Sequence, residues 1–206
     1  MQIGTLTAIR RYPVKSLRGQ VLHSVRVEEH GIAGDRQRAF FALEGARAGK
    51  PYRGKENDRL HLTPDADNAA SLARERGHSV ELRRGEHFFD DAPISILVDT
   101  WMIALNEHLG YRVEWERFRP NFYVRADGDV GPEATLQDAA LTLGTVRLRV
   151  RCPIERCVAV TYHPEGEPSD PRILRYLAQE REALLGIYCD VVEPGTVTVG
   201  DALLKE

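Results

Sequence analysis

Several features that define large classes of proteins are missing from this sequence. It has 3 cysteines in 206 residues, an odd number that does not build the paired disulfide framework of a small secreted protein. No apolar run approaches the roughly 18 residues that a membrane-spanning helix needs. Residues 1–16 lack the long apolar core that follows a basic start in a secretory signal. These absences predict a cytoplasmic protein that does not enter a membrane.

The charge and the glycine spacing argue against two further classes of protein. The formal net charge is -3, whereas a nucleic-acid partner usually requires a basic bias or a basic face. No three-glycine spacing opens a helix, so the chain lacks a dinucleotide-binding fingerprint. With 42% hydrophobic and 29% charged residues, the composition is that of an ordinary globular protein. Any anion site must therefore be local.

Short extended segments dominate what the chain does contain. Apolar alternation and apolar runs predict about ten strands, among them residues 3–9, 21–27, 39–43, 60–62, 94–98 and 146–151. Residues 44–59 are polar and glycine-rich and predict a loop. Capping residues and apolar spacing predict a few helices, over residues 65–76, 99–109 and 171–185. The fold class is therefore predicted to be mainly β, a barrel with peripheral helices.

A composition break at residues 90–93, Asp-Asp-Ala-Pro, predicts a domain boundary. The first region would then cover residues 1–90, and the second domain residues 91–206.

Residues 149–170 hold two of the cysteines, Cys152 and Cys157. Pro153 is predicted to end the strand before them. Arg156 places a positive charge beside Cys157, and nearby positive charge favours the reactive thiolate. The alternative is that Cys157 is a small buried apolar side chain, as most free cysteines are. Cys189 lies in a predicted strand and is most simply part of the core.

Six pieces of sequence, taken in order, resemble the MOSC family, which is named after the C-terminal domain of molybdenum cofactor sulfurase. They cover nearly the whole chain, and each is weak alone: YPVKSLRG at 12–19, GIAGDR at 31–36, DAPI at 91–94, RFRPN at 117–121, ERC at 155–157, and GIY at 186–188 through VGD at 199–201. The resemblance implies a MOSC-type β-barrel over residues 91–206, preceded by a smaller β-rich region of the MOSC N-terminal kind over residues 1–90.

The resemblance also implies a molybdenum cofactor (molybdopterin) and residues to hold it. Cys157 matches the cysteine that serves as metal ligand in the family, which makes it the candidate catalytic residue as well. The candidate contacts of the pterin and its phosphate are Lys15, Ser16, Arg36, Arg119, Asn121 and Arg156. A soft thiolate suits such a metal, and arginine and lysine suit a phosphate. The family's association with pyridoxal phosphate is a further implication.

Structural roles remain open for the same side chains. Arg36 could instead pair with Asp35, and Arg119 could be a surface charge. The sequence also departs from the family pattern in three places. His163 replaces an acid, Glu155 stands where some members have serine, and Ala92 stands where relatives offer a hydroxyl.

Two functions follow from the resemblance. The first is an oxidoreductase that reduces N-hydroxylated small molecules. It would use electrons from a separate partner, because no four-cysteine cluster for an iron–sulfur domain is present. His163 is a hypothetical proton donor in that reaction, or else an exposed turn residue. The second is a sulfur carrier with a persulfide on Cys157, loaded by a sulfur donor, which Cys152 could resolve. A silent barrel that binds another anion is a third option.

Overall fold

The computed structural model describes residues 1–85 and 87–206, a stretch that contains thirteen β-strands and three α-helices. The strands are β1 Gln2–Arg11, β2 Gln20–Leu22, β3 Ser24–Glu28, β4 Gly31–Ile32, β5 Arg38–Ala42, β6 Val80–Arg84, β7 Ile94–Val98, β8 Phe122–Ala126, β9 Ala140–Leu143, β10 Val146–Glu155, β11 Leu184–Glu193, β12 Gly195–Thr198 and β13 Ala202–Lys205. The helices are α1 Ala66–Glu75, α2 Ile103–Leu109 and α3 Pro171–Glu180.

Seven of the strands form a closed barrel. They pair in the order β13-β9-β10-β11-β7-β8-β1, and β1 pairs back with β13 to close the ring. The β7–β8 pair is parallel, and the other pairs of the ring are antiparallel. Alternation along β10 buries Val146, Leu148 and Val150 and exposes Arg147 and Arg149, as a strand with one face on a core requires. The predicted fold class, mainly β with a barrel and peripheral helices, is confirmed.

A smaller unit lies beside the barrel. Strands β5 and β6 pair with each other, and α1 packs on them over a separate apolar cluster that includes Leu17, Phe40, Leu60 and Ala73. The strand β1 precedes this unit in the chain but lies in the barrel, between β8 and β13. The predicted boundary between residues 90 and 91 stays a prediction.

Three predicted elements were wrong in detail. Residues 21–27 do not form one continuous strand, because β2 ends at Leu22, β3 begins at Ser24 and His23 separates them. Residues Leu60–Leu62 form a short 3-10 helix rather than a strand. Strand β10 continues through Pro153, because β9 pairs with β10 only as far as Arg149 and leaves an open side beyond it. A proline, which has no N–H to donate, is tolerated on such an open side.

Both longer helices begin as their sequences predict. The side chain of Asp65 accepts a hydrogen bond from the Asp67 N–H at the start of α1. Asp170 does the same for the Arg172 N–H, one residue before Pro171 opens α3. Helix α3 ends earlier than predicted, because Glu182 and Ala183 take left-handed backbone angles and turn the chain into β11. Among the described residues, no helix combines the length and apolarity needed to cross a membrane.

Neighbouring leucines on β13 test the packing of the barrel. Leu203 is 0% exposed and Leu204 is 38% exposed, because alternate residues of a strand face opposite ways. We expect Leu203→Ala to lower the free energy of unfolding by about 2–5 kcal/mol. The matched change Leu204→Ala is expected to cost about 0.5 kcal/mol. Urea denaturation of both variants measures this, and equal losses would contradict the assigned barrel interior.

The cap of α3 predicts a pH dependence of stability. Hydrogen bonds from Arg172, and then from Tyr111, hold the pKa of Asp170 well below its ordinary value. A carboxyl whose pKa is lower in the folded state stabilises the fold above its unfolded pKa, and loses that contribution as the pH falls towards the folded value. We expect Asp170→Ala to cost about 1–2 kcal/mol at pH 7. The difference from wild type should shrink below about pH 4, and a difference independent of pH would contradict the ionic contribution.

Candidate functional site

Loops from the barrel and from the smaller unit enclose a cavity of about 430 Å³. Its walls come from the loop after β1, the end of β10, the turns before α1, and the short 3-10 helices Trp115–Phe118 and Val158–Thr161. Six of the seven predicted site residues line it: Lys15, Ser16, Arg36, Arg119, Arg156 and Cys157. The barrel therefore brings together side chains that lie up to about 140 residues apart in the sequence, a separation that only tertiary pairing can close.

Cys157 lies where β10 ends and precedes the 3-10 helix Val158–Thr161. Its carbonyl accepts a hydrogen bond from the Val160 N–H at 3.1 Å, which fixes the backbone beside the thiol. The side chain is a free thiol and is partly exposed at the cavity wall. Cys157 is thus reachable by a ligand, unlike Cys189, which is buried in the core.

Arg156 places a cation next to this thiol and is held by backbone carbonyls. Its Nε donates to the Leu185 carbonyl at 2.7 Å, and one terminal nitrogen donates to the Phe118 carbonyl at 2.8 Å. The other terminal nitrogen, Nη2, is buried without a hydrogen-bond partner in the described chain. Burial lowers the pKa of Arg156 to about 10. Carbonyl dipoles alone therefore leave part of its charge uncompensated.

Gly186 makes room for this arginine. Its φ of +85° lies in the left-handed region, and a Cβ built there would lie 3.0 Å from Arg156 Nη2. The Gly186 N–H donates to the Glu133 carboxylate at 3.0 Å, and the same carboxylate binds Arg181 at 2.5 Å. The GIY piece of sequence thus has a physical reason for its glycine, since a larger residue would be strained and crowd the guanidinium.

Arg119 also lacks a carboxylate partner among the described residues. It takes a left-handed φ of 52° at the end of a 3-10 helix and donates to the Leu17 carbonyl at 2.7 Å. Its guanidinium lies 4.3 Å from the centre of the Tyr12 ring, which a cation–π contact explains. Burial lowers the pKa of Arg119 to about 10. Arg119 lines the cavity and is not a free surface charge.

Arg36 forms the acid pair that the sequence left open. It binds the Asp35 carboxylate, which is buried, and lies 4.7 Å from the Tyr12 ring centre. Burial alone would lower the pKa of Arg36, but the charge and hydrogen bond of Asp35, together with Tyr12 and Asp90, outweigh burial and raise the pKa. Arg36 faces the cavity as half of an ion pair, so it contributes less net positive charge than Arg119 does.

Asn121 differs from the other predicted site residues, because it does not line the cavity and is 1% exposed. Its side-chain oxygen accepts from the Ser95 N–H at 3.1 Å and the Ser95 hydroxyl at 3.0 Å. Its side-chain nitrogen donates to the Arg10 carbonyl at 3.2 Å and to Asp35 at 3.3 Å. In this arrangement Asn121 holds the Asp35–Arg36 pair, and a direct cofactor contact stays a prediction.

Lys15 and Ser16 bring the loop after β1 to the cavity. Lys15 pairs with the exposed Asp90 at 2.6 Å. Ser16 has a left-handed φ of 70°, and its hydroxyl accepts a hydrogen bond from the Gly54 N–H at 3.2 Å. The serine therefore connects the barrel loop to the loop of the smaller unit that carries Arg53 and Lys55, which also line the cavity.

Several lining residues were missed from the sequence, among them Tyr12, Arg53, His61, Tyr162 and Tyr188. Tyr12 belongs to the YPVKS piece and could have been found there. Tyr188 likewise belongs to the GIY piece, whereas Arg53, His61 and Tyr162 lie outside the matching pieces and carry no local signal.

His163, by contrast, does not line the cavity. Its Nδ1 accepts from the Glu165 N–H at 3.2 Å, and its Nε2 lies 3.4 Å from a Glu114 carboxylate oxygen. Both ring nitrogens therefore face other groups, and the proton-donor hypothesis gains no support. Of the other two departures, Glu155 lines the cavity from an exposed position, whereas Ala92 is buried and does not line it. Cys152 does not line it either.

Comparison with solved structures supports the fold. The structure superposes on the YUAD protein from Bacillus subtilis with a TM-score of 0.60 and 19% identity, over 98% of this chain and 94% of that one. A hypothetical protein of known structure matches with a TM-score of 0.55 and 10% identity, over 100% of this chain and 68% of that one. At such low identities, the likeness shows the fold alone.

Comparison with curated sequences adds two relatives, both called mitochondrial amidoxime reducing component 2. The protein from Macaca fascicularis is 29% identical over 131 residues, which is 56% of this chain and 38% of that protein. The protein from Homo sapiens is 28% identical over the same shares. This chain thus spans little more than a third of their length. The sequence model of the MOSC domain matches residues 83–204, more than half of the chain. The chain therefore belongs to the MOSC domain family.

Proposed function

We propose that the cavity binds an anionic molybdenum cofactor and that Cys157 supplies the protein's thiolate ligand to the metal. The observation that carries the proposal is that two guanidinium groups in the cavity wall, those of Arg119 and Arg156, have no carboxylate partner among the described residues. A desolvated cation without a counter-charge is costly. An anionic ligand beside both groups would remove that cost.

The side chains present fit such a cofactor. A phosphate dianion is matched by the planar guanidinium of Arg119 and by the ammonium of Lys15. A soft thiolate such as that of Cys157 suits a thiophilic metal.

When bound, the cofactor supplies the oxygen-transfer chemistry, and the protein supplies the binding and the orientation. Cys157 would hold the metal at the cavity wall. Lys15, Arg119 and the hydroxyl of Ser16 would hold the phosphate-bearing end. The Asp35–Arg36 pair and Asn121 behind it would keep Tyr12 and Arg119 in place.

We further propose that the substrate is an N-hydroxylated small molecule. Reduction of an N–OH group breaks the N–O bond, consumes two electrons and two protons, and releases water. The electrons would come from a separate protein, since the chain has 3 cysteines and cannot hold a four-cysteine cluster. The curated relatives, amidoxime reducing components by name, support this substrate class. Because they are much longer than this chain, their activity comes to it only as a proposal.

The sulfur-carrier function remains the alternative. The partly exposed free thiol of Cys157 favours it, because a persulfide needs an accessible sulfur. Cys152 does not line the cavity that contains Cys157, so resolution of a persulfide by Cys152 has no geometric support.

Replacement of single cysteines separates the two functions. We expect Cys157→Ser to abolish molybdenum loading and leave the fold intact, because a serine hydroxyl does not replace a thiolate as a ligand for this metal. The matched control Cys152→Ser should load molybdenum as wild type does. The measurement is elemental analysis of both variants and wild type, purified from a host that makes the cofactor.

Molybdenum that survives in Cys157→Ser would show that Cys157 is not the ligand. A wild-type protein without molybdenum but with sulfane sulfur on Cys157 would instead identify the carrier.

The anion-binding role of Arg119 can be tested without the cofactor. At a concentration of inorganic phosphate ten times its Kd, binding should raise the melting temperature by about 3–6 °C. We expect Arg119→Gln to lose most of that rise, because it removes a cation of the cavity. The exposed Arg125 on β8 provides the control Arg125→Gln, which should keep the full rise. Equal phosphate effects in both variants would remove Arg119 from the site.

A further inference from the structure

His61 brings an imidazole into the cavity from the smaller unit. It lies in the 3-10 helix Leu60–Leu62 and is partly buried. Its ring stacks on the ring of Tyr162, with centroids 5.8 Å apart and planes inclined by 19°. Both residues line the cavity together with Cys157. The histidine is therefore held at the same cavity as the proposed metal ligand but comes from a separate part of the chain.

One hydrogen bond fixes the tautomer of this ring. His61 Nε2 lies 2.7 Å from the backbone carbonyl oxygen of His163. A carbonyl oxygen only accepts hydrogen bonds, so Nε2 must carry the hydrogen. In the neutral ring, Nδ1 is then an acceptor with a free lone pair. In the described chain Nδ1 has no hydrogen-bond partner, and it is not among the nitrogen atoms sealed from solvent.

The surroundings favour the neutral ring. Burial lowers the pKa of His61, and the charges of Arg119 and Arg117 lower it as well. The bond to the His163 carbonyl and the charge of Asp58 act in the opposite direction without reversing the shift. The cavity is rich in cationic donors, and ion pairs take three of its five lining carboxylates, those of Asp90, Glu116 and Glu165. An uncharged acceptor such as Nδ1 differs from the two that remain, Asp91 and Glu155, because it adds no negative charge.

We propose that His61 Nδ1 accepts the hydrogen bond of the substrate's N–OH hydroxyl and so selects substrates that carry this donor. The assignment rests on the proposed function and adds a specificity-determining residue to it. It requires an N-hydroxyl compound to bind more tightly than its O-methyl ether, which has the same shape near the nitrogen but no O–H to donate. No proton needs to leave the ring for this role.

Two substitutions separate Nδ1 from Nε2. In His61→Asn, the amide oxygen can take the place of Nδ1, while the bond to the His163 carbonyl is lost. In His61→Gln, the amide nitrogen can keep that bond, while the acceptor at the Nδ1 position is lost. A role of Nδ1 in recognition predicts that asparagine preserves selectivity and glutamine does not. A purely structural role of the carbonyl bond predicts the reverse.

The experiment is calorimetric binding of benzamidoxime and of its O-methyl ether to the full chain, purified from a cofactor-producing host. We expect wild type to prefer benzamidoxime by about tenfold, the effect of one hydrogen bond. His61→Asn should retain most of this preference, and His61→Gln should lower it to near unity. His108→Gln is the matched control, since His108 contacts Tyr176 and does not line the cavity. It should behave as wild type does.

Other outcomes would overturn the assignment. Preference kept by glutamine and lost by asparagine would give His61 a structural role only. Equal affinity of the loaded wild type for both probes, or binding of neither, would exclude an N–OH acceptor at His61. Molybdenum is measured on the same preparations. Its absence from all of them would contradict the proposed function instead, whatever the probes do.

Discussion

The constraint on which the site depends is the free-energy cost of holding guanidinium groups away from water without a counter-charge. Arg119 and Arg156 lower this cost by donating hydrogen bonds to the backbone carbonyls of Leu17, Phe118 and Leu185. These carbonyls belong to three distant parts of the chain. Carbonyl dipoles offset only part of a full positive charge. The cavity wall therefore keeps positive charge, and the loops that supply the carbonyls must keep their places for that charge to stay there.

The barrel keeps those loops in place. Because β10 and β11 pair over most of their length, the Arg156 end of one strand is fixed against the Gly186 start of the other. The buried Glu133 then binds the backbone of Gly186 from outside the pair. On the opposite wall, Asn121 joins β7, β8 and β1 through Ser95 and the Arg10 carbonyl. Such buried and satisfied polar networks make a site rigid.

The sequence predicted the barrel class, the caps of α1 and α3 and six of the residues that line the cavity. Each of these features has a local signal in the sequence, which is the apolar alternation of a strand, a capping residue or a family motif. The features that it did not predict have non-local causes. Pro153 stays in a strand because its open side depends on where β9 stops pairing. Asn121 lies behind the cavity because Ser95 and Asp35 occupy its amide. No property of residues 60–62 alone indicates which distant carbonyl their histidine meets.

The fold brings His61, and not His163, to the cavity. In the sequence, His163 follows Cys157 by six residues and is a hypothetical proton donor or else an exposed turn residue. In the fold, the His163 ring turns to Glu114 and Glu165, and its backbone carbonyl instead orients the ring of His61. The residue near Cys157 in the sequence, His163, thus contributes a backbone carbonyl that orients the ring of His61, and the fold brings that ring from the smaller unit. The shape of the cavity therefore depends on both the barrel and the smaller unit, because residues of both line it.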